Sequence, residues 1–251
     1  MKTIITFIGI ALLTKGVMAQ QEYSFSHFAY SNSFINAGAT GTQEQAIISG
    51  LFRKQWAGFN GSPLTGGISY DHPLASNNMG VGGFVFSDKI GETVMTNVVA
   101  NYSYHLKINA NLAIGMGIAA GADFISTDYD RLVIWDQQDR VFNGKQSVVV
   151  PRAGLGFHLY SEKYYIGISA PRLLTFNDEN NVSINKENLP SLVSHYYLTG
   201  GYEFRLNNEF DLRTSTLAKY TPNVIMQGDI NATLVWKNLL GLGFGYKSLG
   251  F

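Results

Sequence analysis

Five histidines, His27, His72, His105, His158 and His195, are the residues of this chain best suited to metal ligation or proton transfer, and their spacing fits neither. None has a second histidine two or four positions away, the spacing that would aim two rings at one ion from a strand or a helix. The acids Asp123, Asp128 and Asp130 close an apolar run and enter a polar stretch. Oxygen ligands so grouped can take calcium, but acids at the mouth of a long loop read first as solvated. Gly80-Val81-Gly82-Gly83 is glycine-rich, yet no helix follows it, as a phosphate loop requires. Ser49-Gly50 and Ser69 lack the strand–turn–helix setting of a nucleophile elbow. There is no cysteine, which excludes thiolate catalysis, disulfides and thiolate metal sites. The sequence predicts no enzyme and implies no cofactor, no metal and no catalytic residue.

The elements that carry these residues are strands. From Met79 to Phe86, apolar Met79, Val81 and Val85 alternate with Gly80, Gly82 and Phe84; Ser87-Asp88-Lys89-Ile90-Gly91 then turns the chain. Val94, Thr96, Val98, Ala100, Tyr102 and Tyr104 follow, alternating with Asn97, Asn101, Ser103 and His105. Period-two alternation over ten or more residues is the mark of a transmembrane barrel strand. It recurs eleven times, starting at Ala46, Leu64, Met79, Val94, Leu112, Val149, Tyr164, Tyr196, Phe210, Val224 and Leu240. Pro151 stands on the apolar side of the sixth strand, where a bulge is expected. The non-apolar face is mainly Gly, Ser, Asn and Thr, unlike the Lys- and Glu-rich exterior of a soluble sandwich. Charged residues are only 14% of the chain, against about 25% in soluble domains. A net charge of zero argues against a nucleic-acid partner. The fold class is therefore all-β: a transmembrane antiparallel up-and-down β-barrel over residues 44–251.

The start reads as a signal peptide, residues 1–19. Lys2 supplies the positive end, Ile4 to Leu13 the apolar run, and Val17-Met18-Ala19 the cleavage site. Residues 20–43 form an aromatic-dotted lead-in. Connections after even-numbered strands are short (Ser76–Asn78, Ile108–Ala110, Ser161–Lys163, Asn207-Asn208, Lys237-Asn238). Those after odd strands include two long ones, near 126–147 and 172–194. Barrels of the outer membrane put short turns in the periplasm and long loops outside, which places the lead-in in the periplasm. An aromatic girdle of Tyr102, Tyr104, Tyr160, Tyr164 and Trp236 is expected at the short-turn rim. Inward Arg152, Glu203, Arg205, Asp211, Arg213, Lys219 and Asp229 carry both signs, which suits a salt-bridged lumen or a selective pore.

Two segments are more specific. Phe52-Arg53-Lys54-Gln55-Trp56-Ala57-Gly58-Phe59-Asn60-Gly61-Ser62-Pro63 resembles the Tyr-Arg-x-Gln-Trp-x-Gly-Phe-x-Gly-x-Pro signature of the PorP/SprF family, outer-membrane barrels of the Bacteroidetes type IX secretion and gliding system. Asn78 to Gly82 and Asp88 to Gly91 are similar to its second signature. Tyr102 to Leu106, Tyr164 to Pro171 and His195 to Tyr202 fit later segments. Phe34-Ile35-Asn36-Ala37-Gly38 departs from the family's Asn-Pro-Ala-Tyr-Ala-Gly, and family members typically continue for several more strands past the point equivalent to Phe251, so the barrel is expected to be incomplete at that end relative to the family.

The resemblance implies a non-enzymatic component of type IX secretion that aids export, anchoring or movement of a cell-surface adhesin, located in the outer membrane. Its implied partners are the secretion machinery, a secreted surface protein with a C-terminal sorting domain, and outer-membrane lipid. The alternative is a general porin or solute channel. Loop parity puts both signatures on the outer rim, so the expected partner-binding residues are Gln55, Trp56, Gly58, Phe59, Gly61, Pro63, Asp88, Lys89 and Gly91. Their glycines allow tight turns, and Trp56 and Phe59 offer rigid apolar anchors.

Overall fold

The computed structural model describes residues 32–56, 58, 61–74, 78–131, 144–173, 194–222 and 224–248. Eleven strands follow one another: β1 Ile47–Lys54, β2 Leu64–Pro73, β3 Met79–Ile90, β4 Thr93–Asn109, β5 Leu112–Asp128, β6 Lys145–Tyr160, β7 Tyr164–Arg172, β8 His195–Arg205, β9 Phe210–Tyr220, β10 Gln227–Trp236 and β11 Leu240–Lys247. Each pairs antiparallel with the next, in an up-and-down sheet with β1 and β11 at its two unjoined margins. No helix among the described residues is long and apolar enough to cross a membrane. The longest strands have the length to do so: β4 and β5 are 17 residues each, against about 9–11 needed to span.

The two faces are separated by parity, as the alternation predicts. In β4, Asn97, Val99, Asn101, Ser103 and His105 are buried on the inward face, while Val98, Ala100, Tyr102, Tyr104 and Leu106 are exposed outward. The same division runs through β5 to β8. Outward residues form an exposed apolar belt, of the kind that lipid covers in membrane barrels. Each of β2 to β10 has a paired neighbour on both sides, as a wall in hydrocarbon requires.

Three details differ from the sequence reading. Pro151 makes no bulge: it pairs regularly with Ala122, at a point that the β6–β7 register, Leu155–Tyr160, does not reach. Its missing N–H therefore costs no ladder bond on that side. The irregularities fall instead between Lys107 and Asn109 and between Ser169 and Arg172; the second turns Pro171 and Arg172 into the buried interior. Tyr160 is not in the girdle. It shares the inward parity of His158, and its hydroxyl lies 3.0 Å from His105 Nδ1. Tyr102, Tyr104, Tyr164 and Trp236 are exposed outward.

The inward face has a filling. Residues 32–42 carry two single-turn 3₁₀ segments, Asn32–Phe34 and Ala37–Ala39, and lie on β3–β7. Asn36 and Thr40 are among the most buried residues described. The described part of the lead-in is thus the core of the sheet, although the sequence reading set residues 20–43 apart from the barrel.

Candidate functional site

Glycine makes room for the filling. On the inward face Gly117 pairs with Gly156, and with Gly115 they leave a floor without side chains. The backbone of Ala37-Gly38 rests on it. A Cβ added to Gly38 would stand 2.7 Å from the carbonyl oxygens of Gly115 and Gly156, closer than such atoms approach; the glycines on both sides are required for backbone to meet backbone.

Polar side chains then fix the segment in one register. Asn36 sits at the N-cap of the second turn; its Oδ1 accepts from Gly38 N–H at 2.9 Å and its Nδ2 donates to the Phe157 carbonyl at 2.9 Å. Asn101 Nδ2 donates to Ser33 O at 2.8 Å, Ser169 Oγ to Ile35 O at 2.6 Å and Ser103 Oγ to Thr40 O at 2.5 Å. His105 Nε2 also lies 2.8 Å from Thr40 O, and Asp71 Oδ1 accepts from Gly41 N–H at 2.6 Å. Irregular backbone is tolerated at membrane depth only when its polar groups are met in this way. Apolar packing completes the seat: Phe34 packs edge-on to Phe84 and Phe86 at centroid distances of 5.3 and 4.9 Å, and Ile35 joins Tyr197 and Leu217.

Beside the filling, towards the long-loop rim, lies a buried charge group. Asp123 accepts from Asn97 and, at 2.5 Å, from Arg172 Nη2; Arg152 Nη1 stands 3.7 Å away. All are inside the wall, with Asp123 fully buried. The acidic run read as one loop is therefore divided. Asp123 is a buried counter-charge, Asp128 ends β5, and Asp130 accepts from Gly144 N–H at 2.8 Å across the loop. Farther round the wall, Glu203 meets Arg213 at 3.0 Å, Asp211 lies 3.7 Å from Arg205, and Asp229 lies 3.9 Å from Lys247. These inward charges pair with opposite charges, as in a salt-bridged lumen.

The two signature turns meet at the long-loop rim. Gly91 N–H donates to Gly61 O at 2.9 Å, and Gln55 N–H donates to Pro63 O at 3.0 Å. Gly58, Gly61 and Gly91 have φ of 107°, 75° and 59°, the left-handed region that glycine enters without strain. Trp56 is there too, at φ 49°, with 71% of its surface exposed. A bulky residue held in that region marks a constrained position. Asp88 Oδ1 accepts from Thr65 Oγ at 2.5 Å, Lys89 is exposed, and Pro63 is buried under the turn. Phe59, and the long-loop segments 132–143 and 174–193, lie outside the described residues.

An all-β sheet with a packed inner face and these two joined turns agrees with the sequence signatures, and a family model confirms the relation: that of the type IX secretion system membrane protein PorP/SprF matches residues 17–250. The chain belongs to the PorP/SprF family. No curated protein matches it. In this PorP/SprF chain the family match takes in the filling as well as the rim. Sequence reasoning singled out the two signature turns but missed the filling, whose signal was the cluster of inward glycines in β5 and β6.

Proposed function

We propose that this chain is a non-enzymatic outer-membrane component of type IX secretion, a fixed platform that aids export, anchoring or movement of a cognate surface adhesin. The observation that carries this reading is the occupied interior. A segment of the chain itself fills the inward face of β3–β7, and paired charges line the remainder, which favours a solid support over a solute channel. The long-loop rim, facing the cell exterior, is the contact surface for the exported protein and its C-terminal sorting domain, with the secretion machinery as the second partner. Gln55, Trp56, Gly58, Phe59, Gly61, Pro63, Asp88, Lys89 and Gly91 compose it. The hydrogen bond between Gly91 and Gly61 supports this, because it joins the two signature turns into one surface that presents Trp56. The residues 1–19 act as a signal peptide for export.

The test is the double variant Trp56→Ala/Phe59→Ala. Proteins that co-purify with the barrel from outer membrane in mild detergent are identified, with barrel level held equal. The platform reading expects the surface protein to be lost from the variant; its normal retention counts against this rim.

A further inference from the structure

The outward face of the wall carries its charge unevenly. In β1 to β6 its cations are Lys54, Lys89 and Lys145, all at the long-loop ends of their strands. Lys145 has an acid directly opposite, Asp128 across the β5–β6 pair. Lys54 and Lys89 face no acid. Both stand in register with Leu64, one on each side, and both are exposed. Asp88 has the opposite parity and is engaged by Thr65. Glu92 lies in the β3–β4 turn, and neither lysine forms an ion pair with it or with any other described residue.

Depth gives the second observation. Met79 pairs with Tyr104 of the aromatic girdle, and Lys89 lies ten residues farther along β3. At about 3.4 Å per residue and a tilt of about 40°, that is a rise of about 25 Å, the height of the apolar band of such barrels. With the girdle at one interface, Lys89 falls at the other, level with headgroup phosphates. Lys54 shares its level through Leu64. The two lysines are two strands apart, about 10 Å between backbones, so their long stems can converge over Leu64. Below them on the same face, Ile48 and Phe52 are each 75% exposed. Lysine on an edge strand can serve only to deter edge pairing, but β3 has a neighbour on both sides, so Lys89 has no such role.

We propose that Lys54 and Lys89 hold the phosphate of a membrane lipid headgroup at the long-loop rim, with its acyl chains against Phe52 and Ile48. Ammonium groups bind phosphate as strong point charges, and lysines at an interface extend their charge to the headgroup layer.

The experiment uses the full chain folded into neutral-lipid nanodiscs doped with monophosphoryl lipid A or with its dephosphorylated form, and counts retained lipid by native mass spectrometry. Wild type retains the phosphorylated lipid selectively. Lys54→Gln/Lys89→Gln weakens that retention about thirtyfold, about 2 kcal/mol at 1.4 kcal/mol per tenfold; Lys54→Arg/Lys89→Arg keeps it. Heat-modifiable gel migration verifies the fold of each variant, and if the glutamine variant does not fold, the wild-type comparison of the two lipids decides. Equal retention of the two lipids by wild type, or undiminished retention by the glutamine variant, overturns the proposal. So does preferential capture of a soluble polyglutamate peptide, which would make the lysines a site for an acidic protein.

Discussion

Gly38→Ala puts the seat of the interior segment to a quantitative test. The new methyl would stand 2.7 Å from two carbonyl oxygens, those of Gly115 and Gly156. Both belong to ladder-bonded strands and cannot rotate aside, so the segment itself must rise from the floor by several tenths of an ångström. Overpacking of this kind costs about 1–3 kcal/mol, and rigid backbone on both sides puts the change near about 3. The lift also stretches the bonds that Asn36 makes to Phe157 and that Ser169 makes to Ile35. Gly50→Ala is the control, because a Cβ there meets nothing within 4 Å; it should change stability by less than about 0.5 kcal/mol. Urea unfolding in detergent micelles, followed by tryptophan fluorescence and heat-modifiable migration, gives both values. A Gly38→Ala variant as stable as Gly50→Ala would refute the close backbone seat.

Two further substitutions probe neighbouring parts of the interior. Asp123→Ala leaves Arg172 and Arg152 without their buried carboxylate, so the unfolding midpoint should drop by the equivalent of about 3–5 kcal/mol; a change under about 1 kcal/mol would mean that the charge group contributes little. Asn36→Ala removes the bonds to Phe157 O and Gly38 N together and should cost about 2 kcal/mol by the same assay, with faster proteolysis at residues 32–42 in the folded barrel.

Most of the wall was legible because a strand repeats every two residues and a lipid-facing strand must be apolar at every second position. The starts of β1 to β5, β7 to β9 and β11 follow from that period to within one residue. β6 begins four residues before the expected Val149, at Lys145, and β10 begins three after the expected Val224: Val224 and Met226 share the outward parity of Ile230 but lie before the first ladder pair at Gln227, so periodicity outran pairing. Tyr160 was misplaced for the opposite reason. Aromatic type suggested the girdle, but counting by twos from Arg152 puts Tyr160 inside, and parity prevails because a one-residue slip would turn the whole of β6 over.

The seat of residues 32–42 was illegible for a different cause. It is made by backbone lying on glycine backbone, and contacts without side chains leave no pattern in the segment that is bound. Only the wall hints at them, through Gly115, Gly117 and Gly156. Asp123 was misread because a carboxylate near a loop looks solvated until the chain brings Arg152 and Arg172 to it, from 29 and 49 residues away in sequence. The two signature turns, by contrast, stood out by their residues, and the structure joins them through Gly61 and Gly91.

Planar-bilayer conductance of the purified full chain tests the central claim most directly. A filled, salt-bridged interior predicts a protein that inserts, as verified by heat-modifiable migration of the same sample, and yet passes no steady ionic current. Large, stable current steps from the wild-type protein would contradict a platform and restore the porin.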